Sequence, residues 1–79
     1  HRPLLPAIQQ CVLPGGLIFY ETFTVANGKF GRPSNPDFLL REQELRSNFG
    51  DWEILHYAEG EFSKPDRAIA QIIARKTTQ

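Results

Sequence analysis

The segment 13–23 constrains the fold most, because in it a tight turn leads directly into an apolar strand. Pro14 cannot continue a helical hydrogen-bond ladder, and Gly15 and Gly16 accept the left-handed geometry with which helices often end. Every residue in 17–20 is apolar, so the sequence predicts a strand that is buried on both faces. Such strands are typical of α/β sheets, whose ligands bind at the carboxyl ends of the strands.

The other elements follow from the positions of helix breakers and of apolar residues. Residues 2–13 carry apolar side chains at helical spacing, which predicts an amphipathic helix ahead of the turn. Residues 24–36 are rich in Gly, Pro and Asn and predict a long loop. Residues 37–48 predict a second helix, which begins either at residue 37 or near Arg41 with Phe38 and Leu39 as an anchoring lead-in. Strands are expected at 52–59 and at 67–75, the latter buried, and the two should form a hairpin.

Length and composition exclude several classes of protein. The 79 residues suffice for a single domain, and nine basic residues balance nine acidic ones. This balance gives no electrostatic reason to expect a nucleic-acid or membrane partner, and no apolar run has the length of a membrane span. Cys11 is the single cysteine, which rules out an internal disulfide and fits a cytoplasmic location. His1 and His56 do not form a metal-ligand cluster with it, so no metal site is expected.

The predicted loop and the polar residues near it allow two interpretations. In the first, Phe30 covers the core and Arg32 is solvated. In the second, the loop closes over a ligand and the Arg32 guanidinium meets an anionic group, because the loop follows the carboxyl end of a strand. Glu42 and Glu44 lie two positions apart on the predicted helix and do not face each other, so they do not form a catalytic carboxylate pair.

The segment 13–18 (Leu-Pro-Gly-Gly-Leu-Ile) resembles the turn before the fifth strand of class I S-adenosylmethionine-dependent methyltransferases. The segment 1–4 resembles the stretch after the fourth strand of that family. The segment 30–36 resembles a loop of small bacterial methyltransferases related to the tellurite-resistance type. The segments 52–57 and 70–76 resemble the terminal antiparallel hairpin. The resemblance covers essentially the whole chain.

The resemblance implies an α/β fold, namely part of a Rossmann-like methyltransferase fold, with a three-stranded mixed sheet and two helices. The family order of the last strands is five-seven-six, which puts the strand at 67–75 between those at 16–23 and 52–59 and antiparallel to both. The sequence lacks the family's Gly-rich loop and the acidic residue of the second strand, together with strands one to four. We therefore interpret residues 1–79 as a single domain that forms the acceptor-side part of a methyltransferase without its cofactor-binding strands.

The function implied by the resemblance is methyl transfer from S-adenosylmethionine, with this chain supplying the acceptor-side wall and the lid of the cleft. The chain alone is expected to be inactive, and its methyl acceptor is expected to be a small molecule. The cofactor would be bound mainly by residues that this chain lacks. No catalytic residue is assigned, although Glu21 is the best-placed candidate base. The residues expected to bind substrate are Glu21, Thr22, Phe30, Arg32 and Asn35, and those expected at the cofactor are His1 and Arg2.

Two other functions stay open. If the strand at 16–23 has a bare, apolar outer edge, the chain is a stand-alone interaction or dimerisation domain that forms a homodimer through this edge. Alternatively, the loop around Arg32 is a small anion-binding module. Unlike methyl transfer, neither of these two functions requires an adenosine-containing cofactor.

Overall fold

A computed structural model describes residues 4–32 and 39–77, and the backbone alone is described at residue 4. The first half of this fold contains one α-helix, one strand and one short 3-10 helix, and the second half contains a one-turn helix and a β-hairpin. In chain order the elements are α1 (Leu4–Cys11), β1 (Leu17–Phe23), the 3-10 helix (Val25–Phe30), α2 (Glu44–Asn48), β2 (Glu53–Phe62) and β3 (Arg67–Arg75).

The three strands form one open antiparallel sheet in the order β1-β3-β2. The last strand of the chain therefore lies in the middle and is antiparallel to both neighbours, as expected. The sheet nevertheless differs from the stated mixed sheet, because neither of its two pairings is parallel. The strand order in this chain is β1-β3-β2. The described residues contain three strands, so they do not by themselves show that these are strands five, seven and six of a methyltransferase sheet.

The Pro-Gly-Gly turn between α1 and β1 is confirmed, and its two glycines have different roles. Gly15 has a φ of 83°, a left-handed value that glycine adopts without strain. At Gly16 the Leu13 carbonyl oxygen approaches so closely that a Cβ atom would lie 2.9 Å from it. The Lys76 ammonium group then donates to the carbonyl oxygens of Gln9 and Val12, both at 3.0 Å, and so fixes the end of α1 to the sheet.

One face of the sheet carries the hydrophobic core. The side chains of β3 at Ala70, Ile72 and Ala74 are almost completely buried there. They pack against residues from α1, α2 and the segment before α2, and the buried members of this cluster are Leu5, Leu40, Leu45, Phe49, Ala70, Ile72 and Ala74. Phe49 meets the Trp52 ring edge-on, with ring centroids 5.0 Å apart. We call this side of the sheet the packed face.

The prediction that β1 is buried on both faces is wrong. Its side chains alternate between exposed and partly buried, and Leu17 and Phe19 are 55% and 62% exposed. The reason is that both α-helices of the described residues pack on one side of the sheet, so they leave the odd-numbered residues of β1 uncovered. We call this second side the open face. It also carries Ile69, Gln71 and Ile73 of β3, which pair with Phe23, Glu21 and Phe19. Ile69 is only 2% exposed, so the open face is covered at the start of β3.

The expected loop and second helix also differ from the structure. Residues 25–30 form a 3-10 helix rather than an irregular loop, and α2 starts at Glu44, well after residue 37. The backbone of Leu40 is held against the end of β1, because its N–H donates to the Phe23 carbonyl oxygen at 3.2 Å and its carbonyl oxygen accepts from Val25 at 2.9 Å. This extended pairing prevents a helix from running through Leu40. Residues 37 and 38 lie outside the described residues.

The hairpin of β2 and β3 is confirmed, although β2 extends to Phe62 rather than ending at residue 59. An irregularity between Ile54 and His56 shifts the register by one residue, which is the pattern of a β-bulge. Within the described residues, helices are all too short or too polar to cross a membrane.

Candidate functional site

A cleft of about 360 Å³ opens beyond the carboxyl end of β1, on the side of the packed face. The start of the 3-10 helix forms one wall, the segment before α2 forms the second, and the middle of β2 forms the third. The residues that line it are Thr24, Val25, Ala26, Glu42, Gln43, Glu59, Gly60, Glu61 and Ala68. Its location agrees with the expectation that function lies where β1 ends.

The Glu59 carboxylate organises the rear of this cleft. It accepts the backbone N–H of Gln43 at both oxygens, at 3.0 and 3.2 Å, and it accepts the hydroxyl of Tyr57. Burial raises the pKa of the Tyr57 hydroxyl, and the hydrogen bond to Glu59 raises this pKa further. Tyr57 therefore stays protonated and remains a hydrogen-bond donor to Glu59. Gln43 adopts a left-handed φ of 65°, a conformation that is unfavourable for a residue other than glycine. The hydrogen bonds from its N–H to Glu59 stabilise this conformation.

The mouth of the cleft is acidic. Glu61 forms an ion pair with Lys29 of the 3-10 helix, and both side chains are about half exposed. Lys29 also lies over the Phe30 ring, 5.5 Å from its centroid. Glu42 is exposed. The described residues hold no group of three His, Cys, Asp or Glu side chains that fits a metal ion. The cleft is therefore suited to ligands that donate N–H or O–H hydrogen bonds.

A buried asparagine fixes the wall formed by the 3-10 helix. The Asn27 side chain is 2% exposed, and its Oδ1 atom accepts the backbone N–H of Ala68 at 2.9 Å. The Thr24 N–H donates to the carbonyl oxygen of the same Ala68 at 3.1 Å. Both bonds tie this wall to the beginning of β3, so the shape of the cleft depends on the sheet.

A separate polar chain crosses all three strands on the open face. The Gln71 amide donates to Glu21 at 3.0 Å, and its Oε1 atom lies 3.1 Å from Nε2 of His56. Because the Glu21 carboxylate only accepts hydrogen bonds, the Gln71 amide must turn its nitrogen to Glu21 and its oxygen to His56. His56 therefore donates through Nε2–H. This chain lies on the opposite face from the cleft.

The structure separates the predicted site residues rather than bringing them together. Glu21 belongs to the open face, and Thr22, its neighbour, is partly buried on the packed face. Phe30 and Arg32 are exposed at the end of the 3-10 helix, beyond the cleft lining. His1, Arg2 and Asn35 lie outside the described residues.

Sequence reasoning missed the residues that line the cleft. Glu59 and Glu61 alternate along β2 with a glycine between them, and this spacing puts both carboxylates on the same face of a strand. That signal was available, since two acidic residues on one strand face are unusual where that face is partly covered. Asn27 carried no comparable signal, because an Asn-Gly pair is common in any exposed turn.

Comparison of the sequence with models of protein families finds no match, and comparison with curated proteins finds none either.

Proposed function

We propose that this chain takes part in S-adenosylmethionine-dependent methyl transfer in the cytoplasm, as the acceptor-side part of a class I methyltransferase domain. The observation that carries the proposal is the cleft at the carboxyl end of β1, because in the resemblance β1 corresponds to the fifth strand of a mostly parallel sheet, and such sheets bind ligands at the carboxyl ends of their strands. The Pro-Gly-Gly turn that leads into β1 and the terminal antiparallel hairpin support it, since both correspond to segments on which the resemblance to that family rests.

In this proposal the chain positions the methyl acceptor, which is a small molecule. The carboxylates of Glu42 and Glu61 accept hydrogen bonds from its N–H or O–H groups, and the 3-10 helix covers it from one side. Positioning is the main contribution that a protein makes to a displacement between two bound reactants, because it replaces a bimolecular encounter by a fixed approach. No general base is assigned, because Glu21 lies on the open face and the carboxylate of Glu59 is already hydrogen-bonded.

The described residues do not by themselves fit S-adenosylmethionine. The acceptor best placed for a ribose, Glu59, is engaged by Gln43 and Tyr57, and the chain lacks a Gly-rich loop that could wrap the cofactor. The proposal therefore assigns to this chain only the rim of the cofactor pocket. Residues outside the chain would bind the methyl donor and supply most of its binding energy.

An amide NMR titration of the 79-residue chain with S-adenosylhomocysteine tests the proposal. We expect weak, saturable shifts at the cleft lining, above all at Thr24, Ala26, Gln43 and Gly60. Unchanged spectra at millimolar ligand would contradict the assignment of this cleft lining to the rim of the cofactor pocket. Equal shifts with a chemically unrelated nucleotide of similar size would show that the cleft does not select an adenosyl sulfur compound.

Two matched variants locate the binding. Ala26→Phe fills the cleft with an exposed aromatic ring and should abolish the shifts. Ala7→Phe adds the same ring to an exposed position of α1 and should leave them unchanged. If both variants still respond as the original chain does, the ligand binds elsewhere on the surface.

A further inference from the structure

The backbone of β1 turns half of its hydrogen-bonding groups away from the sheet. The Lys76 N–H donates to the Gly16 carbonyl oxygen at 2.8 Å, and the Thr24 N–H donates to the Ala68 carbonyl oxygen at 3.1 Å. Bonded and non-bonded pairs alternate along an antiparallel ladder, so the even-numbered residues of β1 between these two pairs bond to β3. The odd-numbered residues direct their N–H and C=O groups to the outer edge of the sheet.

Among the described residues, this outer edge has no backbone partner over a short, defined length. At its carboxyl end Leu40 covers it, since the Leu40 N–H donates to the Phe23 carbonyl oxygen. At its amino end the edge stops at the Pro-Gly-Gly turn. Between these limits, no backbone group in the described part of the chain bonds to the outward groups. Leu17, Phe19 and Glu21 direct six such groups outward, centred on Phe19, and the N–H of Phe23 lies just beyond these six.

We propose that a second copy of this chain occupies this edge, with the two β1 strands antiparallel about a twofold axis at Phe19. Around a twofold axis, if residue i of one copy contacts residue j of the other, then residue j of the first copy contacts residue i of the second. Phe19 then faces its own copy, and Leu17 faces Glu21 of the partner. All six outward groups of each copy are satisfied, and the two three-stranded sheets become one sheet of six.

The side chains of this edge suit self-association. Leu17 and Phe19 are more than half exposed, and both lie on the open face. Antiparallel pairing places two Phe19 rings opposite each other, which is a favourable cross-strand pair. The one charge on the edge, Glu21, is hydrogen-bonded to Gln71. The two copies of Glu21 lie at opposite ends of the interface, roughly 13 Å apart along the strands, and the chain carries no net charge to oppose association.

The other edge of the sheet, β2, is a poor alternative. Its ladder with β3 is interrupted between Ile54 and His56, and such a bulge bends an edge away from regular pairing. Three acidic residues, Glu53, Glu59 and Glu61, lie along this strand. Self-pairing of β2 would bring like charges of two copies together. The structure therefore favours the β1 edge for a second copy.

This inference is independent of the methyl-transfer proposal, and its tests contain no cofactor. The two proposals do meet at the same edge. In a methyltransferase sheet, a strand from outside this chain would take the β1 edge, and a second copy takes it where no such strand is supplied. A chain that binds S-adenosylhomocysteine but stays monomeric would overturn the present inference alone.

Sedimentation equilibrium of the 79-residue chain, from micromolar to millimolar concentration, is the first test. We expect a monomer–dimer equilibrium without larger species. Phe19→Lys puts a charge at the centre of the interface on an exposed position, and should raise the dimer dissociation constant at least 100-fold. Leu55→Lys makes the same change on exposed β2 and should leave the constant within twofold. A monomer at all concentrations, higher oligomers, or loss of the dimer in Leu55→Lys alone would overturn the proposal.

Disulfide cross-linking tests the direction and register of the pairing, with the exposed Cys11 replaced by serine. Opposite residues of a bonded antiparallel pair have Cα atoms about 5.5 Å apart, which suits a disulfide. Phe19→Cys should therefore cross-link to itself under mild oxidation. Glu21→Cys alone should not, but a mixture of Glu21→Cys and Leu17→Cys should. Self-cross-linking of Glu21→Cys would indicate parallel strands or a different antiparallel register, and either result would overturn the proposed twofold at Phe19.

Discussion

The two faces of the sheet bury their apolar side chains to very different extents. On the packed face Ala70, Ile72 and Ala74 are at most 1% exposed, whereas Leu17 and Phe19 on the open face are more than half exposed. Both faces share the same backbone ladder, so secondary structure does not explain the difference. What decides it is that α1 and α2 cover only one face. The packed face supplies most of the buried core, and the open face is covered near the start of β3, where Ile69 is 2% exposed.

The same substitution on each face gives the largest expected contrast. Phe49→Ala removes a fully buried ring that packs against Trp52, and should lower the free energy of unfolding by about 3–5 kcal/mol. For a domain this small, such a loss leaves little or no folded protein. Phe19→Ala removes an exposed ring and should change the stability of the monomer by about 0.5 kcal/mol or less.

Urea denaturation followed by tryptophan fluorescence measures both variants, since Trp52 lies beside the core. The comparison must be made at low micromolar concentration, where a dimer through β1 contributes little. Equal losses of unfolding free energy in the two variants would show that Phe19 is buried in solution. The two faces would then not differ in burial as the structure indicates.

The elements predicted correctly were those that depend on local chemistry. The turn at Gly15 and Gly16 follows from the intrinsic preference of Pro and Gly, and the hairpin follows from two β-rich segments joined by a polar connection. The burial of β1 could not be predicted in this way. An unbroken apolar run such as 17–20 shows that a strand can be buried on both faces, but not whether the chain has enough helices to cover both.

The cleft was predicted in its location but not in its residues. A cleft does open at the carboxyl end of β1, where the sequence predicts a ligand site, and ligand binding there stays a prediction. The lining, however, comes from β2 and from the segment before α2, which are brought to that place by tertiary contacts such as the bond from Gln43 to Glu59. Sequence proximity to β1 favoured Glu21, whose side chain in fact lies on the open face. Successive side chains of a strand point to opposite faces of the sheet, so a shift of one residue in the pairing of β1 would put Glu21 on the packed face.

Hydrogen bonds on the two faces provide the next contrast. Asn27→Ala leaves the buried N–H of Ala68 without its acceptor, and should cost about 1–3 kcal/mol of unfolding free energy. Gln71→Ala removes the two bonds to Glu21 and His56 on the open face, where water replaces them, and should cost about 0.5 kcal/mol or less. Urea denaturation measures the unfolding free energy of both variants. A larger loss for Gln71→Ala than for Asn27→Ala would contradict this prediction.

Two adjacent basic residues, one on each side of the sheet, sharpen the comparison further. Lys76→Met removes the donor that holds the end of α1, and should cost about 1 kcal/mol because its ammonium group is partly buried. Arg75→Met removes an exposed contact with Gly15 and a surface ion pair with Glu53, and should cost less than about 0.5 kcal/mol. Thermal unfolding by circular dichroism measures both, and equal shifts would show that α1 does not depend on Lys76.

The last expected effect is a pH dependence that comes from Tyr57 on the packed face. Burial and the hydrogen bond to Glu59 raise the pKa of Tyr57 above its ordinary value of about 10. Above that pH the unfolded chain loses the phenolic proton while the folded chain keeps it, so unfolding releases a proton and stability falls as pH rises. Below pH 10 both states are protonated, and the contribution of Tyr57 to stability is fully present.

Urea denaturation at pH 9 and pH 11 tests this pH dependence. The loss of unfolding free energy between the two pH values should be larger for the original chain than for Tyr57→Phe. If the two losses are equal, Tyr57 titrates in the folded chain as freely as in the unfolded one, and the packed face does not shield this part of β2.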